Sequence, residues 1–129
     1  MAETLQIRSS DDVVRVRQRV RLFAVEAGMT LVDQTKIVTA ASELARNTLD
    51  YGGGGTVEIE ALAAPQRGVR LTFADQGPGI ADIEAALRDG YTTGNGLGLG
   101  LGGAKRLSSE FHVESWPGQG TRGRIARWR

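Results

Sequence analysis

Glu43 and Asn47 stand four residues apart in an apolar-periodic stretch, so a helix would carry both on one edge. A glutamate there can take a proton from an attacking hydroxyl group. An asparagine one turn later offers a neutral oxygen of the kind magnesium accepts beside phosphates. The same pair also fits an ordinary solvated helix face. Asp75 ends an alternating run and precedes Gln76-Gly77-Pro78-Gly79. A carboxylate at the tip of a strand is partly desolvated and needs donors. The exocyclic amine of adenine is such a donor, whereas guanine presents a carbonyl oxygen at that position. Capping of a short helix near Asp82, or stiffening of the turn, accounts for Asp75 equally well.

Nine of the eighteen glycines fall between Gly77 and Gly103, and six of those lie in the run GNGLGLGLGG, Gly94 to Gly103. Glycine lets backbone N–H groups approach an anion, and a helix starting at the end of the run adds a favourable dipole. The run therefore reads as a phosphate cradle, with a flexible loop as the plainer alternative. No Gly-Lys-Ser or Gly-Lys-Thr occurs, so a P-loop is excluded. Gly98-x-Gly100-x-x-Gly103 matches a dinucleotide fingerprint, but it follows a loop instead of a strand and no βαβ unit surrounds it.

These residues need a scaffold to bring them together. Leu5 and Ile7 suggest a short strand over Thr4 to Arg8. Ser9 and Asp12 have capping-box spacing, and Val13, Val16, Val20, Phe23 and Ala27 follow as one helical stripe closed by Gly28. Arg15, Arg17, Arg19 and Arg21 fall off that stripe, on the solvent side. A second helix is expected from near Asp33 to before Gly52, with Ile37, Ala41, Leu44, Thr48 and Tyr51 inward and Glu43, Asn47 and Asp50 clustered on a polar edge beside them. Thr56 to Ala63 and Val69 to Ala74 alternate around Pro65-Gln66-Arg67-Gly68, a hairpin pattern. Short helices are expected over Asp82 to Arg88 and Leu99 to Ser108. Phe111 to Trp116 and Thr121 to Trp128 form a closing hairpin around Pro117-Gly118-Gln119-Gly120. Strand, two helices, hairpin, helices, hairpin gives an α/β sandwich with helices on one sheet face, in one domain spanning residues 1–129.

Composition removes several functions. There is no cysteine, hence no disulfide, thiol chemistry or cysteine-held metal. The one histidine, His112, leaves neither a zinc cluster nor a Ser-His-Asp triad, and it reads as structural. Net charge is +1, and the fourteen arginines are interleaved with helix and strand patterns, so no nucleic-acid partner is expected. No apolar run reaches membrane-span length and no basic-then-apolar leader opens the chain, so no membrane partner and a cytoplasmic address are expected. Trp116 and Trp128 are expected in the core, with an interface as their other use.

Four segments in order carry a resemblance: SELARNTLDYG, DQGPGI, GLGLGLGGAKRL and GQGT. Together they resemble the GHKL ATPase superfamily. DQTKIVTAASELARN, DQGPGI, LRDGYTTGNGLGLGL and KRLSSEF bring the whole chain closest to the small anti-sigma-type serine/threonine protein kinases, in particular the RsbT-like switch kinases of the stressosome.

The resemblance implies a two-layer α/β sandwich of the GHKL type, with a mixed sheet covered on one face by helices. It implies ATP and Mg²⁺ as cofactors. Glu43 would be the general base toward the acceptor serine or threonine. Asn47 would bind nucleotide and hold the metal. Asp75 would take the adenine amine, with Gly77 and Gly79 allowing close packing of the base and Thr121 supporting the adenine end. Gly96, Leu97, Gly98, Leu99, Gly100 and Gly102 would surround the phosphates, beneath an ATP lid over residues 80–97. Where RsbT-like sequences often carry a proline, this chain has Gly102-Gly103, and Arg88 is the lid's one evident basic finger. Neither a histidine-bearing dimerisation helix nor a receiver is present, so a complete histidine kinase is not expected. The implied acceptor is a STAS-domain antagonist or scaffold protein, with a PP2C-type phosphatase as the partner then activated. The alternatives are an anti-sigma factor with kinase activity that holds a sigma factor directly, and a non-catalytic nucleotide-gated binding module.

Overall fold

The computed structural model describes residues 1–79 and 100–129. The expected short helix over Asp82 to Arg88 and the lid over 80–97 lie outside the described residues. Strand β1 (Ala2–Ile7) leads into helix α1 (Ser10–Glu26) and helix α2 (Leu31–Asp50). A hairpin of β2 (Gly55–Leu62) and β3 (Gly68–Asp75) follows, and beyond residues 80–99 come α3 (Gly100–Arg106), β4 (Glu110–Trp116) and β5 (Gly120–Trp128).

Local chemistry fixes the two long helices. Ser9 caps α1 by accepting the backbone N–H of Asp12, while the Asp12 carboxylate accepts the N–H of Arg8 at 2.8 Å. Gly28, at φ +80°, turns the chain out of the helix as expected. Thr30 caps α2 by accepting the Asp33 N–H at 3.2 Å, which starts that helix two residues before Asp33. Val13, Val16, Val20 and Phe23 of α1 and Ile37, Ala41, Leu44 and Thr48 of α2 are buried, as their stripes predict, but Tyr51, expected inward, is exposed because it caps α2 past its last turn. Of the four arginines on α1, Arg19 is not simply solvated: it reaches the Glu3 carboxylate through two nitrogens, at 2.7 and 2.8 Å.

The sheet order is β1-β2-β3-β5-β4. All four ladders are antiparallel, which corrects the expectation of a mixed sheet. β3 and β4 do run in the same direction, but β5 lies between them and pairs antiparallel with both. Registers then carry rows of residues across one face. Leu5, Val57, Phe73, Gly123 and Val113 form one such row beneath the helices. One pleat further toward the sheet end, on the same face, stand Ile7, Gly55, Asp75, Thr121 and Ser115. The apolar core thus ends in a polar rim at the point where α2 also ends. At the other end of α2, Arg127 links the layers: its guanidinium donates to Asp33 Oδ1 at 2.8 and 3.2 Å and to the Leu107 carbonyl at 2.9 Å. The opposite sheet face is polar, with Thr4, Glu58, Thr72, Arg124 and His112 in one row.

Candidate active site

A cleft opens between α2 and the polar rim of the sheet. Leu44, Asn47, Thr48, Tyr51 and Gly52 line it from the helix and its exit. Phe73 and Asp75 line it from β3, Val113 from β4, Thr121 and Gly123 from β5. Gly79 and Leu101 complete the described wall. Four residues singled out in the sequence, Asn47, Asp75, Gly79 and Thr121, therefore meet in one place although they come from three separate segments.

The carboxylate of Asp75 has two differently used oxygens. Oδ1 accepts the N–H of Gly77 at 2.9 Å and the N–H of Thr121 at 3.3 Å. The first of these contacts is the turn chemistry that the sequence left open, so Asp75 does close a turn. Among the described residues Oδ2 accepts no hydrogen bond, and Asp75 lines the cleft. The Thr121 hydroxyl lies 2.9 Å from that of Ser115, which lines up beside it on the rim row.

Three glycines surround Asp75. A Cβ on Gly52 would sit 2.3 Å from its Cγ, and a Cβ on Gly120 would sit 2.1 Å from its carbonyl oxygen. Gly77 is pressed against Gly52, where a Cβ would come within 2.6 Å of the Gly52 Cα. Gly79 has φ +81°, and a Cβ there would meet the Trp116 carbonyl oxygen at 2.7 Å. Gly77 is thus not a wall of the cleft; it is a donor to Asp75 and a spacer against α2.

Glu43 is 4% exposed. The plain solvated helix face is therefore excluded for it, and the expected polar edge is graded instead: Glu43 buried, Asn47 half-buried, Asp50 exposed. Glu43 is not among the residues that line the cleft; it lies one turn behind Asn47. Gly96, Leu97, Gly98 and Leu99 lie outside the described residues. Gly100 opens α3, and Gly102 is in its first turn, where N–H groups lack partners within the helix. The helix expected over Leu99 to Ser108 is observed over Gly100–Arg106, packed on α2.

His112 is exposed, 2.9 Å from Glu114 on the open sheet face and away from the cleft. Trp116 is 45% exposed, against the expectation of a core position, because strand alternation turns it to the open sheet face, the face of His112 and Glu114. Sequence reasoning missed Gly52, Gly120, Gly123 and Ser115. Gly52 was read only as the end of a helix. Gly123 was hidden in a strand pattern, yet its missing side chain leaves the space between Leu44 and Val113.

The cleft is small and mostly apolar. Its walls are apolar from Leu44, Phe73, Leu101 and Val113, and one anchored carboxylate supplies an acceptor at its end. The family described as histidine kinase-, DNA gyrase B- and HSP90-like ATPases matches residues 32–128. The chain belongs to this ATPase family. Within it the chain is an RsbT-like serine/threonine protein kinase. The serine/threonine-protein kinase RsbT of Bacillus subtilis (strain 168) is 44% identical over 125 residues, covering 96% of this chain and 94% of that protein. An anti-sigma F factor of Thermoanaerobacter sp. (strain X514) is 30% identical over 133 residues, covering 99% of this chain and 93% of that protein. The solved structure of the RsbU and RsbW domains of Rv1364c from Mycobacterium tuberculosis shares the fold, with a TM-score of 0.70 at 20% identity, covering 99% of this chain and 32% of that one. As a member of the ATPase family the chain uses ATP. Among the described residues no helix is long and apolar enough to cross a membrane.

Proposed function

We propose that this kinase is a cytoplasmic partner-switching regulator that phosphorylates a serine or threonine of a STAS-domain antagonist or scaffold protein. The observation that carries the reading is the placement of Asp75 and Asn47 on facing walls of one cleft, at the end of the apolar core. Asp75 Oδ2 receives the adenine amine, while Gly77 and Thr121 hold the other oxygen in place. Gly79 and Thr121 support the base end. Asn47 offers an amide oxygen that, with phosphate oxygens and water, makes the hard-oxygen set Mg²⁺ prefers. When bound, the ion would neutralise charge on the phosphates. Gly96, Leu97, Gly98, Leu99, Gly100 and Gly102 are assigned to phosphate contact by their backbones.

Glu43 receives the proton of the acceptor hydroxyl. The hydroxyl oxygen bonds to the γ-phosphorus, the bond from that phosphorus to the bridging oxygen breaks, and ADP leaves with the electron pair. Such transfer needs chiefly positioning and charge stabilisation. The phosphate adds about −1.5 to −2 charge to the acceptor's interface, enough to expel the kinase. The freed kinase then engages a PP2C-type phosphatase.

The test is incubation of the purified chain with labelled Mg-ATP and candidate STAS proteins. Label on a STAS serine or threonine, lost with Glu43→Gln, supports the reading; absence of label with protein that binds ATP overturns it. The resemblance to an anti-sigma F factor at 30% identity favours one second reading, direct retention of a sigma factor. Capture of a sigma factor in place of a STAS protein would select it.

A further inference from the structure

Gly52 does not need to be glycine for its backbone. Its φ lies outside the left-handed region, unlike Gly53 and Gly54 immediately after it, at +71° and +104°. What excludes a side chain is space. A Cβ built on Gly52 would lie 2.3 Å from Cγ, 2.5 Å from Cβ and 2.6 Å from Oδ2 of Asp75. The side-chain volume of position 52 is thus filled by the carboxyl group of position 75.

Neither partner can withdraw easily. The Gly52 N–H is held by the Asn47 carbonyl at 3.2 Å, and the Gly54 N–H by that of Thr48 at 2.9 Å, so the turn is tied to α2. Gly77 closes the other side, with its own absent Cβ only 2.6 Å from the Gly52 Cα. Asp75 in turn is fixed by the ladder, where it pairs with Gly55 and Thr121, and by the two N–H groups on Oδ1. A methyl group at position 52 cannot be accommodated by rotation of the Asp75 carboxyl alone, because the Asp75 Cβ itself stands 2.5 Å away; position 75 has to shift together with its carboxylate. That shift displaces Oδ2 and strains the contacts on Oδ1.

We infer that Gly52 is a positioning residue for nucleobase specificity: by leaving its side-chain volume to Asp75 it aims the carboxylate that selects adenine. This rests on the reading of Asp75 as the acceptor of the adenine amine. Gly52 touches the selecting group and acts on the base through it.

The experiment compares binding of ATP and of purine riboside triphosphate, which lacks the exocyclic amine, by calorimetry with Mg²⁺. The parent protein prefers ATP by about 10- to 100-fold, the range expected of a hydrogen bond to a charged group. Gly52→Ala loses most of that preference through weaker ATP binding, while the analogue binds nearly as before. A Gly52→Ala protein that keeps the parental ratio overturns the inference. A parent protein that binds both nucleotides equally overturns the adenine reading of Asp75 itself, a separate failure. Because Gly52→Ala can also impair folding, the substitution is repeated in Asp75→Gly, where all three crowding atoms are gone. There Gly52→Ala should leave the melting temperature and the affinity for the analogue unchanged. A further loss of stability in that background shows that the crowding is not with Asp75 and overturns the inference.

Discussion

Asp75 and Thr121 stand directly opposite each other in the β3–β5 ladder, and the backbone N–H of Thr121 donates to Asp75 Oδ1 at 3.3 Å. The strand register thus does more than hold the sheet. It aims a carboxylate from one strand with a peptide group from the next. Gly77 adds the second donor at 2.9 Å. Two backbone N–H groups thus hold one oxygen, and the other accepts no hydrogen bond among the described residues. Asp75→Asn should keep one acceptor oxygen for these donors and lose the second acceptor. The protein should melt close to the parent, and ATP should bind about 10- to 100-fold more weakly, as for loss of a hydrogen bond to a charged group. Calorimetric titration checks this; unchanged affinity would remove Asp75 from base recognition.

Glu43 is almost fully buried on α2, so its substitution must preserve shape. Glu43→Gln keeps volume and hydrogen-bonding capacity but removes the ability to hold a proton as a base. ATP affinity should stay within about twofold of the parent, while phosphotransfer falls by about 10²- to 10⁴-fold, the usual worth of a general base. Single-turnover transfer of labelled phosphate to the acceptor measures it. Transfer at the parental rate would take the base role from Glu43.

Much of this arrangement could be read in the sequence, for reasons that differ between its parts. The stripes Val13-Val16-Val20 and Ile37-Ala41-Leu44 have helical period and caps at Ser9 and Thr30, so local physics alone defines them. Asp75 was visible as a carboxylate ending an apolar-alternating run, and Asn47 only as part of a polar edge beside the α2 stripe. What no local pattern carries is register across the sheet. Only the β3–β5 pairing puts Thr121 beside Asp75, and only the end of α2 against β3 makes Gly52 a slot for a carboxyl. Antiparallel pairing of β5 with β3 was hidden for the same reason: it depends on which gap the last strand enters. Glu43 was drawn toward the surface because helical angle ranks residues by direction and knows nothing of the elements packed around α2, where Glu43 is 4% exposed.

Asn47 lines the cleft one turn beyond Glu43 and makes no side-chain hydrogen bond among the described residues. Asn47→Ala should therefore leave the fold intact. Its effect should appear when Mg²⁺ is varied: in excess Mg²⁺ the variant binds Mg-ATP on the order of tenfold more weakly, the loss of one polar contact near a charged group. In EDTA, parent and variant should bind nucleotide alike. Titration of Mg²⁺ at fixed ATP separates the two conditions, and an equal loss in both would assign Asn47 to the nucleotide without the metal.

Asp33 and Arg127 join the start of α2 to the end of β5, at 2.8 Å between Arg127 Nη2 and Asp33 Oδ1. The same guanidinium holds the Leu107 carbonyl just after α3, so the pair ties the three elements together at the end of α2 away from the cleft. The hydrogen bonds from Arg127 are the main cause that holds the Asp33 carboxyl below its ordinary range, with partial burial opposing them. A lowered pKa in the folded state means that the unfolded chain binds the proton more readily. The stabilisation is therefore full above the ordinary carboxylate value, near pH 4, and is lost as pH falls through the lowered folded value. Asp33→Asn should lower the melting temperature at pH 7 by about 4 °C or less, since the pair is partly exposed and screened by solvent. The difference between parent and variant should shrink steadily below about pH 4. Melting curves from pH 7 down into the acid range test this, and a gap that stays constant to the lowest pH at which both fold would mean that Asp33 acts there through its shape and not its charge.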